Sequence, residues 1–195
     1  MIARRARVYD ALALLTAIVV VLLDQWVKSL IVANLSPPGS KPEIPLIGRY
    51  LVIEYIQNRG AAFGFFANNI FLVVLIAAAI GVISYLYIRM FNSGPLVYKL
   101  IFSLIIGGAA GNLVDRVRHG GYVVDFISFR IPEINFYFAI FNVADACISV
   151  GVFFLLMLVL FGRFNDAENA QKEQHLTKKA VITSAAESGD SRSTE

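Results

Sequence analysis

Cysteine is almost absent from this chain of 195 residues: Cys147 stands alone. That excludes an internal disulfide and a cysteine metal cluster. Histidine is nearly as scarce. His119 and His175 have no second ligand at metal spacing, which argues against zinc hydrolysis and against any bound metal or cofactor. None of Ser29, Ser84, Ser103, Ser128 or Ser149 sits in a G-x-S-x-G turn, so a serine nucleophile has no signature here. Cys147 itself reads as a small buried hydrophobe. Charge is the largest deficit. Charged residues make up 16% of the chain, against about 25% in soluble domains.

What is abundant is apolar: 57% of residues are hydrophobic and the mean hydropathy is +0.68. This is the composition of an integral membrane protein. The net charge of +3 and pI near 9.1 would suit nucleic acid. The basic residues, however, flank apolar segments, where they set orientation, so no nucleic-acid partner is expected.

A membrane-crossing helix needs about 20 apolar residues. Four stretches qualify: 12–34, 65–88, 96–117 and 138–160. Arg4, Arg5 and Arg7 before the first mimic a secretory signal, but the apolar run is too long and no A-x-A site follows, so it reads as a retained helix. Four spans put both termini on one side, with Arg89, Lys99 and Arg163. Lys41, Arg49, Arg59, Arg118 and Arg130 face the other. The bias favours cytoplasmic termini. Residues 1–163 form one membrane domain in this reading. The polar tail 164–195 has no apolar face and is expected to be disordered.

Two outer loops differ from the spans. Pro37, Pro38, Gly39, Pro42 and Pro45 argue for turns, while YLVIEYIQ (50–57) reads as a strand. After Gly120-Gly121, the run YVVDFISFRI reads as a second strand, and the two together suggest a small sheet on the outer surface.

Ionisable groups inside apolar helices are costly, about 2.5–3.5 kcal/mol each on insertion scales, and mark function by default. Asp24 and Lys28 share a face of the first helix at i,i+4 spacing. Asn112, Asp115 and Arg116 lie at the outer end of the third, and Asn142 and Asp145 near the outer start of the fourth. At about 1.5 Å per residue, Asp145 would lie roughly 10 Å under the surface. Every buried polar group is thus expected in the outer half, around a water-accessible pocket, with the inner halves almost purely apolar. Gly107 and Gly111 make a small-xxx-small packing face that draws Asn112 and Asp115 toward a neighbouring helix. With other nucleophiles set aside, carboxylates remain. Asp125 (VVDF) and Asp145 (FNVAD) are either packing and ion-pair residues or an acid–base pair. Two carboxylates on one pocket would share a proton. The ionised member takes a proton from water and the protonated one hydrogen-bonds a peptide carbonyl.

DQWVK, NRGAAFG, GGAAGNLVDR, VVDF and FNVADACI occur in that order across residues 12–160. In these blocks the chain resembles the bacterial lipoprotein signal peptidases (signal peptidase II). The resemblance implies a four-transmembrane-helix bundle with a small extracytoplasmic β-cradle and gating loop. It implies an aspartic endopeptidase that removes the signal peptide from diacylglyceryl-modified prolipoproteins. Asp125 and Asp145 would be the catalytic pair. Asp24, Lys28, Asn58, Asn112, Arg116 and Asn142 would line the pocket or position substrate, and Asp115 would play a more structural part, pairing with a nearby cation. The expected setting is a monomer in the bacterial cytoplasmic membrane, among membrane lipids, sensitive to the cyclic peptide globomycin. Two rival classes remain: an ion-coupled transporter, which needs polar groups at the inner end, and a non-enzymatic scaffold, which tolerates Asp→Asn at 125 and 145.

Overall fold

A computed structural model of the chain describes residues 2–60, 69–89 and 95–161. Helix α1 (Ile2–Leu35) takes in the arginines that precede the first apolar run. It stops where Ser36-Pro37-Pro38 removes backbone donors and disfavours helical geometry. Strands β1 (Ile44–Ile47) and β2 (Leu51–Asn58) follow, then α2 (Asn69–Arg89) and α3 (Leu96–Arg118). Gly120 and Gly121, at φ +63° and +105°, turn the chain out of α3 in a conformation that L side chains resist. Strand β3 (Val123–Ile131), a short 3-10 turn and β4 (Phe136–Tyr137) lead to α4 (Val143–Phe161).

Three helical stretches, Ala6–Leu35, Leu96–Arg118 and Val143–Phe161, are long and apolar enough to cross a membrane. Helix α2 runs for 21 residues, and residues 65–68 of the expected second span lie outside the described residues, as does the tail from 162. The chain divides into two units, Met1–Phe153 and Phe154–Glu195. Everything described below lies in the first.

The sheet is an antiparallel meander in the order β1-β2-β3-β4. Strands β2 and β3 match the expected ones within a residue. Strand β1 was not expected, because Pro45 reads as a turn residue. It is tolerated there because β1 is an edge strand. Leu35 at the end of α1 packs with Tyr55, Val124 and Phe126 to seat the sheet on the helices.

The start of the fourth helix is a correction. Residues 138–141 were expected to be helical, but they run extended along β3. Phe138 N–H donates to Phe129 O (2.9 Å), and Phe141 exchanges backbone bonds with Ile127 (3.1 and 2.8 Å). Aromatic and β-branched runs suit either structure, and the free edge of β3 decides it. Asp145 therefore lies in the first turn of α4 rather than one to two turns beyond the helix start.

Close approach fixes the helix spacing. A Cβ on Gly107 would sit 2.9 Å from Ala17 O, and one on Gly111 would sit 2.7 Å from Asp24 Oδ2. Gly108, which also reads from sequence as a packing glycine, does the same toward α4: its Cβ would meet Ala144 O at 2.5 Å. Lipid gives helices little hydrophobic reason to associate, so small residues and polar contacts hold them.

Candidate active site

Lys28, 2% exposed, is the hub of a network at the sheet end of the helices. Its Nζ donates to Asp24 Oδ2 (2.8 Å) and Asp115 Oδ2 (2.9 Å), and to Asn112 Oδ1 (2.9 Å). All three ammonium protons are thus used. The two flanking carboxylates have further duties. Asp24 Oδ1 accepts the Ala144 N–H (2.9 Å) at the start of α4. Asp115 Oδ2 accepts the Val124 N–H (3.0 Å) on β3. One ion-pair cluster therefore fixes both elements that carry Asp125 and Asp145.

Asn142 and Asp145 form a reciprocal cap on α4. Asp145 N–H donates to Asn142 Oδ1 (2.9 Å) and Asn142 N–H to Asp145 Oδ2 (3.2 Å). This satisfies two N–H groups that a helix start leaves free. The other Asp145 oxygen accepts Asn112 Nδ2 (2.7 Å). Asn142 Nδ2 reaches Asp125 Oδ1 (2.7 Å) and Asn112 Oδ1 (3.1 Å). Asn58 Nδ2 donates to Asp125 Oδ2 (2.8 Å) from β2, while its Oδ1 accepts the Gly60 N–H (2.8 Å). Asn142 thus touches both aspartates. Asp125 is 2% exposed, and burial pushes its carboxyl up to about 6, with the nearby Asp145 charge acting in the same direction and the Asn58 and Asn142 amides opposing it.

Eight of the nine sequence-predicted residues fall in this single hydrogen-bonded network. The ninth, Arg116, touches it through the Asn112 carbonyl (3.2 Å), and its buried Nε has no partner. Gln25 was missed. Its Nε2 bonds Asp115 Oδ1 (2.7 Å) and Gly111 O (3.2 Å), and its Oε1 accepts from Arg118 (3.2 Å). The signal was present, since Gln25 stands inside DQWVK. Residues 61–64 of NRGAAFG lie outside the described residues.

A cavity of about 290 Å³ borders the network at Lys28 and Asp115. One expectation needs correction: the buried polar groups are not confined to one end. At the far end Asp10 (6% exposed) and Lys99 (0%) form a buried ion pair, with Tyr87 Oη donating to Asp10 Oδ1 (3.3 Å). Lys99, expected as a flanking orientation charge, is inside the protein because α1 extends ten residues before Leu12 and brings Asp10 against α3.

Two carboxylates joined by neutral amides stand on a scaffold of apolar helices, the architecture of an integral membrane protein with a candidate acid–base site. The comparisons identify the group. A family model described as signal peptidase (SPase) II matches residues 16–161. A lipoprotein signal peptidase of Caldanaerobacter subterraneus subsp. tengcongensis is 40% identical over 151 residues, covering 77% of this chain and 97% of the relative. One from Halalkalibacterium halodurans is 36% identical over 163 residues, covering 83% and 97%. A solved bacterial membrane enzyme at 2.3 Å resolution superposes with a TM-score of 0.67 at 30% identity, covering 80% of this chain and 91% of that one. The chain belongs to the signal peptidase II family, and it is a peptidase.

Proposed function

We propose that this protein removes the signal peptide from diacylglyceryl-modified prolipoproteins at the outer face of a bacterial cytoplasmic membrane, with Asp125 and Asp145 as the catalytic pair. Helix α2 is the fourth span, both termini are cytoplasmic, and the sheet lies on the outer surface. The observation that carries the reading is Asn142, which bonds Asp125 through its side chain and Asp145 through its backbone. Family membership supports the substrate class.

The chemistry divides between the two acids. Asp145 sits in the first turn of α4 and accepts a backbone N–H there. A helix start favours negative charge by ~0.3–1 kcal/mol. Asp145 is the base that takes a proton from the attacking water. Asp125, whose carboxyl burial raises to about 6, takes up a proton more readily than an ordinary carboxylate and in that protonated form hydrogen-bonds the scissile carbonyl. Arg116, whose Nε lacks a partner, faces the same charges and steadies the oxygen as it gains negative charge. Lys28, Asp24, Asp115, Asn112, Asn142 and Asn58 hold the pair in place. Membrane lipids surround a monomer, and a globomycin-type peptide would compete at this site.

The test is turnover of a purified diacylglyceryl prolipoprotein in detergent. Asp125→Asn and Asp145→Asn should each lower cleavage by at least ~100-fold, the usual scale of acid–base catalysis, with the folded chain retained. Retained turnover in both would remove the pair. An unlipidated precursor should be a poor substrate.

A further inference from the structure

Gln25 is half-buried on α1, and its amide is held from two sides. Toward the surface, Oε1 accepts from Nη1 of the exposed Arg118 (3.2 Å). Toward the interior, Nε2 donates to Asp115 Oδ1 (2.7 Å) and Gly111 O (3.2 Å), with Asp24 Oδ2 at 3.3 Å. A guanidinium only donates and an ionised carboxylate only accepts, so the two neighbours fix which way the amide points. The two oxygens of Asp115 have different partners. Oδ2 accepts from Lys28 Nζ (2.9 Å) and from the Val124 N–H (3.0 Å). Oδ1 has Gln25 as its single hydrogen-bond donor among the described residues. The last torsion of an aspartate is soft, so an Asp115 without that donor can turn, and turning carries Oδ2 away from the Val124 N–H. Val124 immediately precedes Asp125.

We propose that Gln25 is a positioning residue for the peptidase reaction: it sets the rotation of the Asp115 carboxylate and, through the Val124 N–H, the place of Asp125. The inference rests on the reading of Asp125 and Asp145 as the catalytic pair. Gln25 itself bonds neither of them; its influence passes through Asp115. The bond is charge-assisted, the kind worth most when it is kept from water. The competing donor is water in the cavity of about 290 Å³ that Gln25 and Asp115 both border. A side chain already aimed by Arg118 has the advantage over water, because it is ordered before Asp115 needs it. Glutamine suits the position because it offers an acceptor to Arg118 and a donor to Asp115 at once. An apolar residue of the same length offers neither, and an ionised glutamate offers the acceptor alone.

The experiment uses the full chain in detergent and takes two readouts. The first is amide hydrogen exchange, which needs no turnover. Gln25→Met keeps the length and loses the donor. It should speed exchange of the Val124 amide about tenfold, the scale of one charge-assisted bond, and that of Ala144, whose acceptor is Asp24, by less. The second is cleavage of a diacylglyceryl prolipoprotein. Gln25→Met should lower kcat about tenfold and leave KM within about twofold, since no group that touches substrate has changed. Gln25→Glu keeps the test sharp if Gln25→Met folds poorly. The new carboxyl faces Asp24 and Lys28 of α1 and Asp115 and Arg118 of α3. Protonated, it can donate to Asp115; ionised, it cannot. Its kcat relative to the parent should therefore rise as pH falls from about 8 to about 5.5, whereas a packing role gives a flat ratio. Unchanged Val124 exchange in Gln25→Met, or a flat ratio in Gln25→Glu, would overturn the proposal. Asp125→Asn run alongside separates the two failures. Lost cleavage there with no response at Gln25 overturns this inference alone. Retained cleavage there overturns the catalytic pair and this inference with it.

Discussion

Two buried ionic clusters sit at opposite ends of α1 and α3, and they solve the same problem differently. At the far end one cation meets one anion: Lys99 pairs with Asp10, and Tyr87 adds a bond. At the sheet end Lys28 meets two carboxylates, Asp24 and Asp115. The Lys99–Asp10 pair links α3 to α1. At the sheet end each carboxylate also holds a backbone N–H of another element. The first cluster joins helix to helix, while the second reaches the strand and the helix that bear Asp125 and Asp145. A buried ionisable group therefore marks a site only when its connections lead somewhere. The inner polar group that a transporter needs is present as Asp10–Lys99, so the case against transport rests on family membership rather than on an apolar inner half.

The sharpest way to break this comparison is to remove each cation. Stranding a buried charge costs about 3–5 kcal/mol. Lys99→Met takes a buried ammonium from one carboxylate, and Lys28→Met takes it from two, so Lys28→Met should lower the thermal midpoint in detergent more. The paired replacements separate the clusters further. Asp10→Leu with Lys99→Leu should recover most of the stability and keep prolipoprotein cleavage, because an apolar substitute for a buried pair is often neutral. Replacing Asp24, Lys28 and Asp115 together by leucine should not recover cleavage, because the Ala144 and Val124 amides lose their acceptors. Equal behaviour of the two sets would mean that both clusters are only packing devices.

A smaller effect reads the environment of Asp125 itself. Its carboxyl is raised from 3.8 to about 6 in the folded chain, so the folded state holds the proton more tightly than the unfolded state. The contribution of this acid to stability is then largest at low pH and is lost as pH rises from about 4 through about 6. The full swing corresponds to roughly 3 kcal/mol. The difference between detergent melts of the parent and of Asp125→Asn, followed from pH 4.5 to 7.5, should show this fall. A difference that rises over the same interval would contradict the burial of this acid.

Much of this was readable from the residues. Leu-rich runs of helical length located α1, α3 and most of α4. The β-branched runs located β2 and β3, which carry Asn58 and Asp125, and the polar exceptions within apolar helices led to the other seven site residues. What escaped depends on long-range contact. Residues 138–141 are as apolar as a helix, and only the free edge of β3 makes them extended. Asp10 and Lys99 are 89 residues apart, and each alone looks like a charge at a helix end. Gln25 is a neutral amide beside a conspicuous aspartate, and its role exists only because Gly111 lets α3 come within reach.

One signal was local: Asn142 reads from sequence as a cap near the start of the fourth helix as well as a residue that positions substrate, and Asn142-x-x-Asp145 is a helix-start pattern in its own right. It also supplies the finest test of the outer network. Asn142 does two jobs that different substitutions can separate. As a cap it needs only an oxygen that accepts the Asp145 N–H. As a bridge it needs the amide Nδ2 that reaches Asp125. Serine caps about as well as asparagine, whereas alanine loses about 0.5–2 kcal/mol. Asn142→Ala should therefore lower both the melting midpoint and kcat. Asn142→Ser should restore the midpoint and leave kcat low, because a hydroxyl on Cβ is too short to replace the bridge. If serine restores both, Asn142 is a cap alone, and the bonds of Asn58 to Asp125 and of Asn112 to Asp145 are enough to hold each carboxylate.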